Sequence, residues 1–148
     1  MFVVVVGAGR FGSLAAQALA EQGVSVTIID QSLDILETLP ESFSGFRLEG
    51  DAAELETLKR SRMDEADVVL AVTESDSLNL LVAQLARELF GVTRVVARIF
   101  DPVTESVYKH LDVTILCPTT LGLDNLLSGL LNPEKPGGSN PSKEKKDG

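Results

Sequence analysis

Cysteine, histidine and basic charge are all scarce in this chain of 148 residues. A single cysteine, Cys117, rules out an internal disulfide, and with a single histidine, His110, there is no donor set for a zinc or iron–sulfur cage. Lys and Arg total 13 against 22 Asp and Glu, a formal net charge of −9. A field of that sign repels a phosphate backbone, so nucleic acid is not an expected partner. Long apolar runs are missing too. Phe2 to Val6 is too short for a membrane span or a signal core and runs straight into glycine, so a cytoplasmic chain without direct membrane insertion is expected. What is present, 44% hydrophobic and 24% charged residues, can bury one core. The length suits one domain and leaves no room for the substrate half of a two-domain dehydrogenase.

Composition changes near the end. Asn132 to Gly148 holds three of the six prolines, three of the twelve glycines and a Lys/Glu cluster, with nothing apolar to anchor it. The expected organisation is a domain over residues 1–131 and a disordered tail over 132–148. Within the domain, Phe2–Val6, Val24–Asp30, Phe46–Glu49, Asp67–Val72, Arg94–Ile99 and Asp112–Leu116 are short runs rich in Val and Ile, as in strands buried on both faces. Helical patterns lie between them. In the first, Leu14, Ala15, Ala18 and Leu19 share a face; in the fourth, Leu78, Leu81, Val82, Leu85 and Leu89 do, which turns Asn79, Gln84, Arg87 and Glu88 outward. Start signals agree: Asp51 stands three before Glu54 as a capping-box variant, Ser75 precedes the Leu78 helix, and Asp101-Pro102 supplies a cap and a first-turn proline. Strand and helix alternate about six times, which predicts a Rossmann-like α/β domain, a doubly wound open parallel sheet. The last pattern, about 119–131, carries Leu121, Leu123, Leu126, Leu127, Leu130 and Leu131, more apolar surface than such a domain needs, and is either a core helix or a dimerisation element.

Directly after the first strand comes Gly7-Ala8-Gly9-Arg10-Phe11-Gly12, a G-x-G-x-x-G loop opening a helix. The first glycine permits the tight turn, the second lets backbone approach a pyrophosphate, and the third lets helix pack close on strand. Asp30 ends the second strand 18 residues beyond Gly12 and is placed to accept hydrogen bonds from ribose hydroxyls. Its carboxylate disfavours the 2′-phosphate of NADP, and Gln31-Ser32 adds no arginine to reverse that. A P-loop is excluded because Ser13, not Lys, follows Gly12. Arg10 either contacts phosphate or is a solvated turn residue.

Catalytic equipment is absent at the expected spacings. Tyr108 lacks a Lys four residues on, since position 112 is Asp. His110 sits near a helix end, and Cys117 has no partner in its motif. A non-enzymatic binding domain is expected, the alternative being an NAD-dependent oxidoreductase domain without its substrate half.

The glycine loop with Arg10-Phe11, then Asp30, Gly50-Asp51-Ala52, Ala71-Val72-Thr73, Asp76, Asn79 and Val96-Ala97-Arg98 form a series over residues 1 to about 117. The series resembles the N-terminal domain of regulators of K⁺ conductance, the RCK-N or TrkA-N family of Trk, Ktr and Kef systems and K⁺ channels. The resemblance implies a regulatory domain that binds NAD(H) or ATP/ADP/AMP and controls a membrane potassium transporter or channel as a homodimer or higher oligomer at the inner face of the membrane. It implies that Gly7, Gly9 and Gly12 hold phosphate, Asp30 the ribose, Asp51 and Ala52 the adenine edge, and Thr73 the far wall. Gln31 and Phe11 accompany them, and Arg98 meets a phosphate, a dimer partner or a surface acid. Asp51 remains equally a helix cap. Family members usually continue into a second domain, which the resemblance leaves to a further chain segment or another polypeptide.

Overall fold

A computed structural model describes residues 1–132. Its elements alternate: β1 (Phe2–Val6), α1 (Arg10–Glu21), β2 (Ser25–Asp30), α2 (Leu33–Glu37), β3 (Phe46–Glu49), α3 (Leu55–Arg60), a 3-10 turn (Met63–Glu65), β4 (Val68–Ala71), α4 (Asp76–Glu88), β5 (Arg94–Arg98), α5 (Pro102–Tyr108), β6 (Thr114–Leu116) and α6 (Pro118–Leu131). The six strands form one sheet in the order β3-β2-β1-β4-β5-β6, with every pair parallel. All six strands foreseen from composition are there; Phe2–Val6 and Phe46–Glu49 keep their expected ends, and the other four are shorter by one or two residues. The tail expected from Asn132 onward lies, Asn132 aside, outside the described residues.

β1 is all valine after Phe2 because it is the central strand and both its faces are covered. Val3 and Val5 join Ala16 of α1 and Leu36 of α2 in one core; Val4 and Val6 join Leu58 of α3 and Val82, Ala83 and Ala86 of α4 in the other. Each of these buried valines contributes about 1.5–3 kcal/mol relative to exposure. The helix caps follow the sequence where the side chain is short and polar. Ser75 Oγ accepts from Leu78 N–H (3.2 Å), Asp101 Oδ1 from Val103 N–H (3.0 Å) and Ser32 Oγ from Ile35 N–H (3.3 Å).

Three local expectations are corrected. Asp51 does not cap α3: its Oδ1 accepts from Ala53 N–H (2.9 Å) in a turn ahead of the helix, whose N-cap is Glu54 without a side-chain bond. α1 buries Gly12 and Ala16 and exposes Leu14 and Ala18. In α4 the buried face is Asn79, Leu80, Val82, Ala83 and Ala86, while Leu81 and Leu89 are exposed. The common cause is close helix–sheet packing. A helix seated near the strands presents its small side chains to them and turns bulky leucines to its flanks.

The two ends of the sheet order differ in cover. α5 and α6 bury none of their residues, and all six leucines of α6 are exposed. Leu70 and Val96, which face each other in register on β4 and β5, are only partly buried.

Candidate functional site

In a sheet of this order the connections from β1 and β4 leave toward opposite faces, and a crevice opens between the carboxyl ends of those strands. A cleft of about 310 Å³ lies there, at the lower end of the range for small-molecule sites. It is walled by Gly7 and Gly9 after β1, Asp30 and Gln31 after β2, Asp51 and Ala52 after β3, and Thr73, Glu74 and Ser75 after β4.

The glycine loop takes its shape from two positions that tolerate no side chain. Gly7 has φ +106°, and a methyl group on it would lie 2.9 Å from Thr73 N. At Gly12 a methyl group would collide with the Gly7 carbonyl, because the first turn of α1 rests directly on the loop backbone. Gly9 is different. A methyl group there would meet only Glu74 Oε1, at 3.8 Å, so its face is open space. Gly9 is also the N-cap of α1, with no side-chain cap and no acidic residue in the first turn. The first N–H groups of this 12-residue helix therefore have no side-chain cap, and the positive end of the helix dipole begins at Gly9 on the cleft wall.

Asp30 fastens this loop to β2. Its Oδ2 accepts from Ala8 N–H and its Oδ1 from Ser32 N–H, each at 2.9 Å, which leaves one lone pair on each oxygen for a ligand. The opposite wall is fastened by Asn79, fully buried and fully bonded. Its Oδ1 accepts from Thr73 N–H (2.8 Å) and Thr73 Oγ1–H (2.7 Å), and its Nδ2 donates to the carbonyls of Thr73 (2.9 Å) and Arg98 (2.8 Å). Asn79 thus joins the β4–α4 loop to β5, the opposite of the outward role its helical position suggested. Asp76 adds a second tie, accepting from Phe100 N–H (2.9 Å) and Asp101 N–H (3.2 Å).

Arg98 stands behind this wall, not on it. Its side chain is 7% exposed, lies 5.3 Å and 4.6 Å from the Phe11 and Phe100 ring centres, and donates from Nη2 to the Val72 (2.6 Å) and Thr73 (3.1 Å) carbonyls. Arg10, Phe11 and Gly12 likewise shape the loop from outside the cleft lining. Of the residues singled out from sequence, Gly7, Gly9, Asp30, Gln31, Asp51, Ala52 and Thr73 line the cleft together. Sequence reasoning missed Ile35, Leu78 and Glu74 there. Ile35 and Leu78 were legible in principle, since each sits three residues after a serine cap at the carboxyl end of a strand. Tyr108, His110 and Cys117 are all on the β5–β6 side, away from the cleft.

This combination defines a doubly wound domain with a dinucleotide-type glycine loop. Residues 3–118 match the model of the TrkA-N domain, and the chain belongs to that family. It is 38% identical over 141 residues to a Trk system potassium uptake protein TrkA from Streptomyces coelicolor, covering 95% of this chain and 61% of that protein. The chain thus spans under two thirds of that relative's length. Among solved structures, the TrkA-N domain of inner membrane protein ybaL from Escherichia coli has the same fold, with TM-score 0.76, 18% identity and coverage of 87% of this chain and 96% of that one. GsuK bound to ADP matches with TM-score 0.69 and 26% identity over 90% of this chain and 34% of that one. No helix among the described residues is long and apolar enough to cross a membrane.

Proposed function

We propose that this domain binds an adenine nucleotide, NAD(H) or one of ATP, ADP and AMP, and passes its occupancy to a membrane potassium transporter or channel as a regulatory, non-enzymatic component. The observation that carries the reading is the open face of Gly9 at the uncapped start of α1, held beside Asp30 in one cleft. Phosphate would sit on the N–H groups at Gly9 and Arg10, within the loop shaped by Gly7 and Gly12. Asp30 and Gln31 would take the ribose, Asp51 and Ala52 the adenine edge, and Thr73 the far wall. Arg10, exposed at the first turn, would reach a terminal phosphate, while Phe11 and Arg98 would hold the wall in place.

Potassium transport enters through kinship. The Streptomyces relative is a Trk system potassium uptake protein, and the third of the GsuK chain that matches, in the structure with ADP bound, has the same fold and is 26% identical. Self-association is supported by the leucines of α6 and the thinly covered Leu70–Val96 strip, apolar surface that a second copy would bury. The working unit is accordingly a homodimer or higher oligomer, cytoplasmic and held at the inner membrane face through its transporter.

Isothermal titration with NAD, NADP, AMP and ADP tests the binding. NAD should bind at least about tenfold more tightly than NADP, because a 2′-phosphate would face the Asp30 carboxylate. Equal affinity for the two would overturn the ribose assignment. Potassium flux through a reconstituted Trk-type transporter with this chain, titrated with NADH and ADP, tests the regulatory part; flux indifferent to both while binding persists would overturn it.

A further inference from the structure

Glu74 is the cleft residue that neither the glycine motif nor the ribose carboxylate accounts for. The cleft lining contains three carboxylates, Asp30, Asp51 and Glu74, and no Lys, Arg or His. Two of the three are partly neutralised by backbone donors: Asp30 accepts two N–H groups and Asp51 one. Glu74 accepts none. Its side chain is 85% exposed, and Oε1 lies 3.5 Å from Arg98 Nη2 and 3.8 Å from where a side chain on Gly9 would begin. The carboxylate therefore overlooks the place where the loop's N–H groups would meet phosphate. Arg98 cannot swing out to compensate, since it is pinned between two rings and two carbonyl oxygens. Arg10, next to Gly9, forms no ion pair among the described residues and is the one mobile cation at the loop.

Resting on the nucleotide reading above, we propose that Glu74 is a charge filter on this site, selecting a nucleotide with about two negative phosphate charges, such as a dinucleotide pyrophosphate or a monophosphate, over a triphosphate with about four. The physical basis is like-charge repulsion in a cleft where the single nearby buried cation, Arg98, already faces Glu74. Removing the Glu74 charge deletes its repulsion, so that the field of the Arg98 cation at the phosphate is no longer offset. Being exposed, Glu74 acts through partly screened electrostatics, so the selectivity declines as salt rises.

The test is titration calorimetry of the full chain with NAD, AMP and ATP in EDTA, comparing wild type, Glu74→Gln and Glu88→Gln. Glu88, exposed at the far end of α4, matches the change in net charge at a distance from the cleft. In wild type NAD should bind more tightly than ATP. Glu74→Gln should raise ATP affinity about five- to tenfold while moving NAD less than about twofold, and the ATP gain should shrink at high salt. Glu88→Gln should change neither. An equal gain for NAD and ATP, an unchanged ATP affinity, or the same gain in Glu88→Gln would overturn the filter. Repeating the titration with Mg²⁺ separates one further possibility: tight ATP binding that requires Mg²⁺ in wild type and is lost in Glu74→Gln would make Glu74 a metal ligand and contradict the proposal. Folded protein that binds none of the three nucleotides in any variant would overturn the nucleotide reading itself, and the filter with it.

Discussion

At Gly7 and Gly12 an added methyl group collides with backbone, whereas along α6 it meets nothing within 4 Å. The contrast runs through both regions. At the loop, Asp30 and Asn79 bond every polar atom of their side chains and tie neighbouring strands together. In α6, fourteen residues bury nothing, and the apolar side chains face water. The first region is finished within one chain; the second has the composition of a surface made for a neighbour. On the proposed reading, binding falls to the first region and transmission to the second.

Paired substitutions break or sharpen that contrast. Gly12→Ala should cost on the order of 4 kcal/mol or prevent folding, since a loop carbonyl must move, whereas Gly122→Ala in α6 should stabilise the helix by roughly 0.5–1 kcal/mol. Urea unfolding of both variants measures the difference; similar values would erase the distinction between the regions. Next in size is Asn79→Ala, expected to cost about 3 kcal/mol because it strands the Thr73 N–H and the Arg98 carbonyl in the interior. Ser75→Ala removes the cap of α4 and an exposed bond to Ser77 Oγ, and should cost about 1 kcal/mol. Smallest in folding terms is the pair Leu126→Gln with Leu130→Gln, which should leave monomer stability within about 0.5 kcal/mol. The same pair should lower the mass seen by light scattering to that of a monomer. Loss of several kcal/mol there would instead make α6 part of the chain's own core.

The strand pattern was readable because a central parallel strand must be apolar on both sides, which Phe2–Val6 is and residues 26–29 are apart from Thr27. The glycine loop and Asp30 were readable because the fold leaves those positions few alternatives. Helix facing was not. Counting leucines in α4 picks a stripe of which Leu78, Val82 and Leu85 do pack on the core, but the fully buried centre of the face goes to Ala83 and Ala86 and leaves Leu81 and Leu89 exposed. Asn79 was misplaced for a related reason: a buried asparagine is invisible until the four partners that satisfy it are assembled from β4 and β5. Glu74 escaped notice because its meaning depends on standing over Gly9, 65 residues earlier in the chain.

The most direct test of the central claim is amide hydrogen exchange of the full chain with and without saturating NAD. Exchange reports local opening, and a bound nucleotide suppresses opening where its phosphates and ribose take up backbone donors and close the cleft. The account predicts slowed exchange at residues 8–13, 31–32 and 73–75, with little change in residues 121–131 beyond that caused by assembly. Protection confined to the β5–β6 side, or none at the glycine loop under saturating ligand, would contradict it.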